Sequence, residues 1–158
     1  MPTKRVRKII SRTALSLLCV WTILPIGQAV AVNWGPASAY YDGTERATGY
    51  GQFYNSRNQR AVTKYVLSDV KKDGMNVYGH TTGNIYGTRE GDSSNKEGWY
   101  EAGSESTAEI SNVTRTMFTS FDLQPQGKAA QGDIEVCIQV GWPIIDECSV
   151  SSIPSFNY

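Results

Sequence analysis

Residues 134–140 alternate without a break: Ile134, Val136, Ile138 and Val140 are apolar, and Glu135, Cys137 and Gln139 stand between them. Successive strand side chains point to opposite faces, so this run predicts a strand with one face in a core and the other outside it. The turn Gly141-Trp142-Pro143 ends it.

Weaker copies of the same pattern recur upstream. Residues 47–55 alternate around Tyr50, Phe53 and Tyr54, and 61–68 place Val62, Tyr65, Val66 and Leu67 in a β-prone run. Asp73-Gly74 follows, and 75–82 continue with Val77 and Tyr78, which reads as a hairpin. Further on, Val113, Met117, Phe121 and Leu123 share one parity, with Phe118 on the other. About seven short strands predict an all-β fold, a small β-sandwich or a partly open barrel. The one competitor for a helix is Glu97, Glu101, Glu105 and Glu109. Four like charges on one helical stripe repel, so 91–106 read as an acidic loop with Trp99 and Tyr100 as a short strand or packing anchor inside it.

The N-terminus has a different grammar. Lys4, Arg5, Arg7, Lys8 and Arg12 precede an apolar run over 14–26, and Ala29-Val30-Ala31 follows as a small-x-small site. That order predicts a cleavable signal peptide over 1–31 and one secreted, extracellular domain over 32–158. The run is too short for a spanning helix, which needs about 20 apolar residues, so no stable membrane insertion is expected after cleavage. The remaining segment holds 10 basic side chains against 15 acidic ones, a net charge of −5. Such a surface offers no footprint for nucleic acid.

Three cysteines are present, and Cys19 falls within the signal. Cys137 and Cys148 remain, and an even pair in an exported chain reads as a disulfide. A metal site would need more ligands, and His80 is the chain's only histidine. Asp69, Asp73 and Gly74 imitate a calcium loop, but Lys71 occupies a ligand position and His80 stands where the closing Glu belongs. No Gly-x-Ser-x-Gly elbow marks a nucleophile beside His80. The expectation is therefore a non-enzymatic protein with no cofactor and no metal.

Aromatic residues carry the positive signal. Trp34, Tyr40 and Tyr41 crowd the expected N-terminal arm, 32–41, and Phe156 and Tyr158 end the chain. Aromatics at a terminus either pack on the domain's own core or anchor a partner. Trp34, Tyr40 and Tyr41 are the candidate partner-binding residues. Tyr50, Tyr54, Tyr78, Tyr86 and Trp99 are candidates for a sugar-stacking platform.

The run 65–78, with its Asp-x-x-x-Asp-Gly-x-x-Val-Tyr core, resembles a hairpin of small secreted actinobacterial β-proteins, as do Val136-Cys137 and Cys148-Ser149 near the end. Some comparable proteins are adaptor subunits of extracellular antibacterial toxin assemblies. The resemblance implies export and a β fold, with another secreted protein as partner. The leading expectation is a protein–protein binding module. The alternatives are a carbohydrate- or cell-wall-binding module, with polysaccharide as ligand, and an inhibitor of a secreted hydrolase presenting the loop 138–147.

Overall fold

The computed structural model describes residues 31–158 apart from 92 and 142. The expected signal therefore lies outside the described residues, Ala31 excepted. The chain is a β-sandwich of two antiparallel sheets. Its elements are β1 (Ala31–Tyr41), β2 (Thr44–Ser56), β3 (Arg60–Asp69), β4 (Asn76–Thr88), β5 (Glu97–Ser106), β6 (Thr114–Asp122), β7 (Gly127–Gln139), β8 (Glu147–Cys148) and β9 (Ser155–Asn157). Sheet A has the order β1-β2-β3-β6; sheet B has β5-β4-β7-β8, with β9 also on β7. Among the described residues no helix is long and apolar enough to cross a membrane.

Alternation builds the core. Ile134, Val136 and Ile138 are buried from β7, Tyr65 and Leu67 from β3, and Phe121 from β6. Two glycines of β4 make room for rings from the facing sheet. A Cβ at Gly79 would lie 2.5 Å from the Tyr65 ring, and one at Gly83 would lie 2.3 Å from the Phe121 ring. The chain's last strand is seated in the same way, since Phe156 is buried with its ring centroid 5.0 Å from that of Phe53.

A buried hydroxyl cluster joins the sheets. Thr81 Oγ1 donates to Thr63 Oγ1 at 3.1 Å, accepts from Thr119 Oγ1 at 3.0 Å, and is bonded to the Tyr65 hydroxyl. With one donor and two acceptor lone pairs, Thr81 is saturated, and Tyr65 donates to it. Burial pushes the Tyr65 phenol up to about 12, with the neighbouring Thr81 and Thr119 hydroxyls acting the other way.

Two expectations are corrected here. Asp73-Gly74 does not close a hairpin, because β3 and β4 lie in different sheets and the segment between them crosses over. Asp69 and Asp73 instead accept from the Lys71 and Met75 amides, while Asp69 Oδ2 also takes the Asn112 amide and Asp73 pairs with Arg46. Those carboxylates hold turn amides and an arginine. The acidic stretch is not a loop either: Glu97–Ser106 is an edge strand paired with β4. Glycine and glutamate suit an edge, where charge discourages pairing with another chain. An irregularity at Ala102 changes the parity, so that Glu105 reaches the Ser120 amide at 2.6 Å across the β5–β6 seam.

Candidate interaction site

The expected arm is β1, hydrogen-bonded along β2 from Ala31↔Tyr54 to Tyr41↔Thr44. It is extended except at Gly35-Pro36, where Gly35 adopts φ 83° and the register shifts. Trp34 is buried in the core, edge-on to Tyr65, and its Nε1 donates to the Lys64 carbonyl at 3.1 Å. A Cβ at Gly51 would fall 1.8 Å from that carbonyl oxygen, so the indole's reach across β2 requires glycine there. Of the three candidates, then, Trp34 is a core residue. Tyr41 is half-buried with its ring beneath the Arg46 guanidinium, 5.3 Å away. Tyr40 alone stays well exposed.

β1 packs across the sandwich against β7, β8 and β9, and beside β8 stand the most exposed aliphatic side chains among the described residues. Cys137 and Cys148 form a disulfide directly across the β7–β8 pair. The covalent link accords with an oxidising, non-cytoplasmic compartment. Inside the closed loop, Asp146 acts as a clamp. One carboxylate oxygen accepts from the Tyr78 hydroxyl at 2.8 Å and the other from the Val140 amide at 3.3 Å. Burial, then the Asp146 bond, pushes the Tyr78 phenol up to about 12. After the staple, Ser149 and Ser152 bond back to Val136 and Ile134, so the segment follows β7 as a broken edge strand. From this held backbone Ile145 is 86% exposed and Val150 90% exposed, with Ile144 and Ile153 also outward. Sequence reasoning noticed the stapled loop but not Val150 or Ile153, which no local motif marks.

The sugar-platform candidates are divided between the sheets. Tyr50 and Tyr54 lie on the outer face of sheet A, whereas Tyr78, Tyr86 and Trp99 lie on that of sheet B, with the Tyr86 and Trp99 rings tilted at 58° and their centroids 5.5 Å apart. His80 is a strand-face residue. Its Nδ1 lies 2.8 Å from Ser106 Oγ and its Nε2 3.1 Å from Ser104 Oγ, so hydroxyls hold both nitrogens. No carboxylate bonds the ring among the described residues. Glu135 lies near Cys137 and Cys148, but those sulfurs are bonded to each other and are not metal ligands. No family model, curated protein or solved structure matches the chain.

Proposed function

We propose that this chain is a secreted, non-enzymatic binding module that engages another secreted protein through its stapled C-terminal edge. One observation carries the reading: Ile144, Ile145, Val150 and Ile153 point outward from a backbone held by the disulfide and the Asp146 clamp. Burying a large aliphatic side chain stabilises a complex by about 1.5–3 kcal/mol. A rigid segment also loses little entropy when it docks. The signal-like N-terminus supports export, and the resemblance to adaptor subunits of toxin assemblies supports a role inside a larger extracellular complex.

The same loop serves a second reading, an inhibitor of a secreted hydrolase, because a disulfide-closed loop tipped by Ile144-Ile145 can enter a cleft without folding on binding. The test is capture from the culture fluid of the producing organism with native protein and with the Ile145→Ser/Val150→Ser variant. The adaptor reading expects a defined partner that the variant loses while its melting temperature holds. A captured hydrolase whose activity falls on binding favours the inhibitor. Capture unaffected by the double change removes this edge from consideration.

A further inference from the structure

The outer face of sheet A holds a separate cleft. Asn33, Gln52, Lys64 and Phe118 stand opposite one another in a row across β1, β2, β3 and β6. Such a row is about 15 Å long. Two hollows meet along it. One, of about 530 Å³, lies between Pro36, Tyr50 and Lys64; the other, of about 390 Å³, lies between Tyr54, Lys64 and Phe118. Gln52 and Lys64 line both, so the hollows form one trough. Their sizes fall in the range of about 300–1,000 Å³ usual for ligand sites.

The chemistry of the lining selects among ligands. Tyr50 and Phe118 are each 56% exposed, offering flat apolar surfaces without a partner ring among the described residues. Beside Tyr50, on β2 and β1, Gln52 and Asn33 carry amide donors and acceptors and hydrogen-bond each other at 3.4 Å. Lys64 is the one charged residue of the lining, and no carboxylate pairs with it among the described residues. Flat faces beside bidentate amides suit a pyranose, which has an apolar C–H face and a rim of hydroxyls. An unpaired cation on a net-acidic protein adds a preference for negative charge at one point.

Other anions and chains fit less well. Single-stranded nucleic acid stacks on aromatics too, but it needs a tract of cations along its phosphates. A peptide adding as a strand needs a free edge, whereas β2 and β3 are paired on both sides.

We propose that this trough binds a glycan chain bearing carboxylates. Tyr50 and Phe118, two strands apart, stack on separate rings of one chain, Gln52 and Asn33 bond its hydroxyls, and Lys64 meets a carboxylate. The site is independent of the stapled edge and stands whether or not a protein docks there.

The test is calorimetric titration of the secreted protein with three probes. They are galacturonate oligomers, the neutral galactose oligomers of equal length, and peptide-free peptidoglycan glycan strands, whose carboxylates sit on lactyl ethers. Binding to either carboxylated probe and not to the neutral one is expected, and the arm that binds identifies the source. Lys64→Gln should weaken it about tenfold and remove its salt dependence, and Tyr50→Ala should weaken it by a similar factor, with melting unchanged. The proposal is overturned if neither carboxylated probe binds at millimolar concentration. It is equally overturned if the neutral oligomer binds as well, or if both variants bind like the parent.

Discussion

The two outer faces of this sandwich differ in sign and in what their polar groups do. The strands of sheet A carry Arg46, Arg60, Lys64 and Arg115 against Glu45, Asp69 and Asp122. Those of sheet B carry Glu97, Glu101, Glu105, Asp133, Glu135 and Glu147 against Lys128 alone. The acidity of the described strands thus belongs to one side. On sheet B many outward groups are already engaged, although the side chains of Glu101 and Glu147 bond nothing among the described residues. Glu97 pairs with Lys128, Glu135 accepts from Ser151, Glu109 accepts from Asn76 and Gln139, and serines hold His80. A further exception is Asp133 Oδ1, buried without a partner among the described residues. On sheet A, Lys64, Tyr50 and Phe118 face outward without such partners. Groups that already bond each other hold a surface together; groups left over are available to a ligand. The difference separates a structural face from a receptive one.

The comparison requires that both faces rest on one core, and the largest effect should come from breaking that. Phe156→Ala removes a buried ring packed on Phe53 and should cost about 3–5 kcal/mol in chemical denaturation. It should also free the tail beyond the disulfide, read as faster amide exchange at Ser152 and Ser155. A loss below 1 kcal/mol would mean that the tail is not part of the sandwich.

The staple comes next. Replacing Cys137 and Cys148 together by Ser should lower stability by about 2–3 kcal/mol, as expected for closing a loop of 11 residues. The sheet A trough should keep its shape, so glycan titrations of this variant should match the parent while capture through the C-terminal edge fails.

Alkaline pH reaches the core between the faces. The Tyr65 phenol is raised to about 12, against about 10 in an unfolded chain. Its contribution is therefore complete below pH 10 and is lost as pH rises through 12, to a limit of about 3 kcal/mol. Denaturation midpoints at pH 8, 10 and 12 should fall in that order. Tyr65→Phe should flatten the fall without abolishing it, because the phenols of Tyr78, Tyr100 and Tyr158 are raised as well.

Much of this architecture was legible wherever bulky residues mark alternate positions. β7 and β6 show their inward faces through Ile134, Val136, Ile138, Met117 and Phe121. The pattern fails where the inward residue is glycine. Gly79 and Gly83 are empty in sequence because the rings that fill them, Tyr65 and Phe121, come from the other sheet. The Asp73-Gly74 turn was visible, but a turn signal does not say whether the next strand pairs with the last one or crosses away. The disulfide followed from cysteine count alone. The trough did not, since Gln52, Lys64 and Phe118 have no motif and meet only through strand register across separations of 12 and 54 residues. Trp34 falls on the own-core side of the two readings open to a terminal aromatic, because Gly51 on the neighbouring strand opens a seat for its indole.

The smallest effects give the sharpest reading of the two faces. Asp146→Ala removes the acceptor for both the Tyr78 hydroxyl and the Val140 amide on the sheet B side. Each bond contributes about 0.5–1.5 kcal/mol net, so the variant should lose about 1–2 kcal/mol. Lys64→Ala on the sheet A side removes a cation with no ion-pair partner among the described residues, and exposed changes of that kind fall within about 0.5 kcal/mol. Denaturation curves for the two variants, measured side by side, set a structural charge against a free one. Equal losses would mean that Lys64 supports the fold, and the division between a self-bonded and a receptive face would then fail. A clear loss for Asp146→Ala alone leaves Lys64 with no structural task, which is the condition for its carrying a ligand.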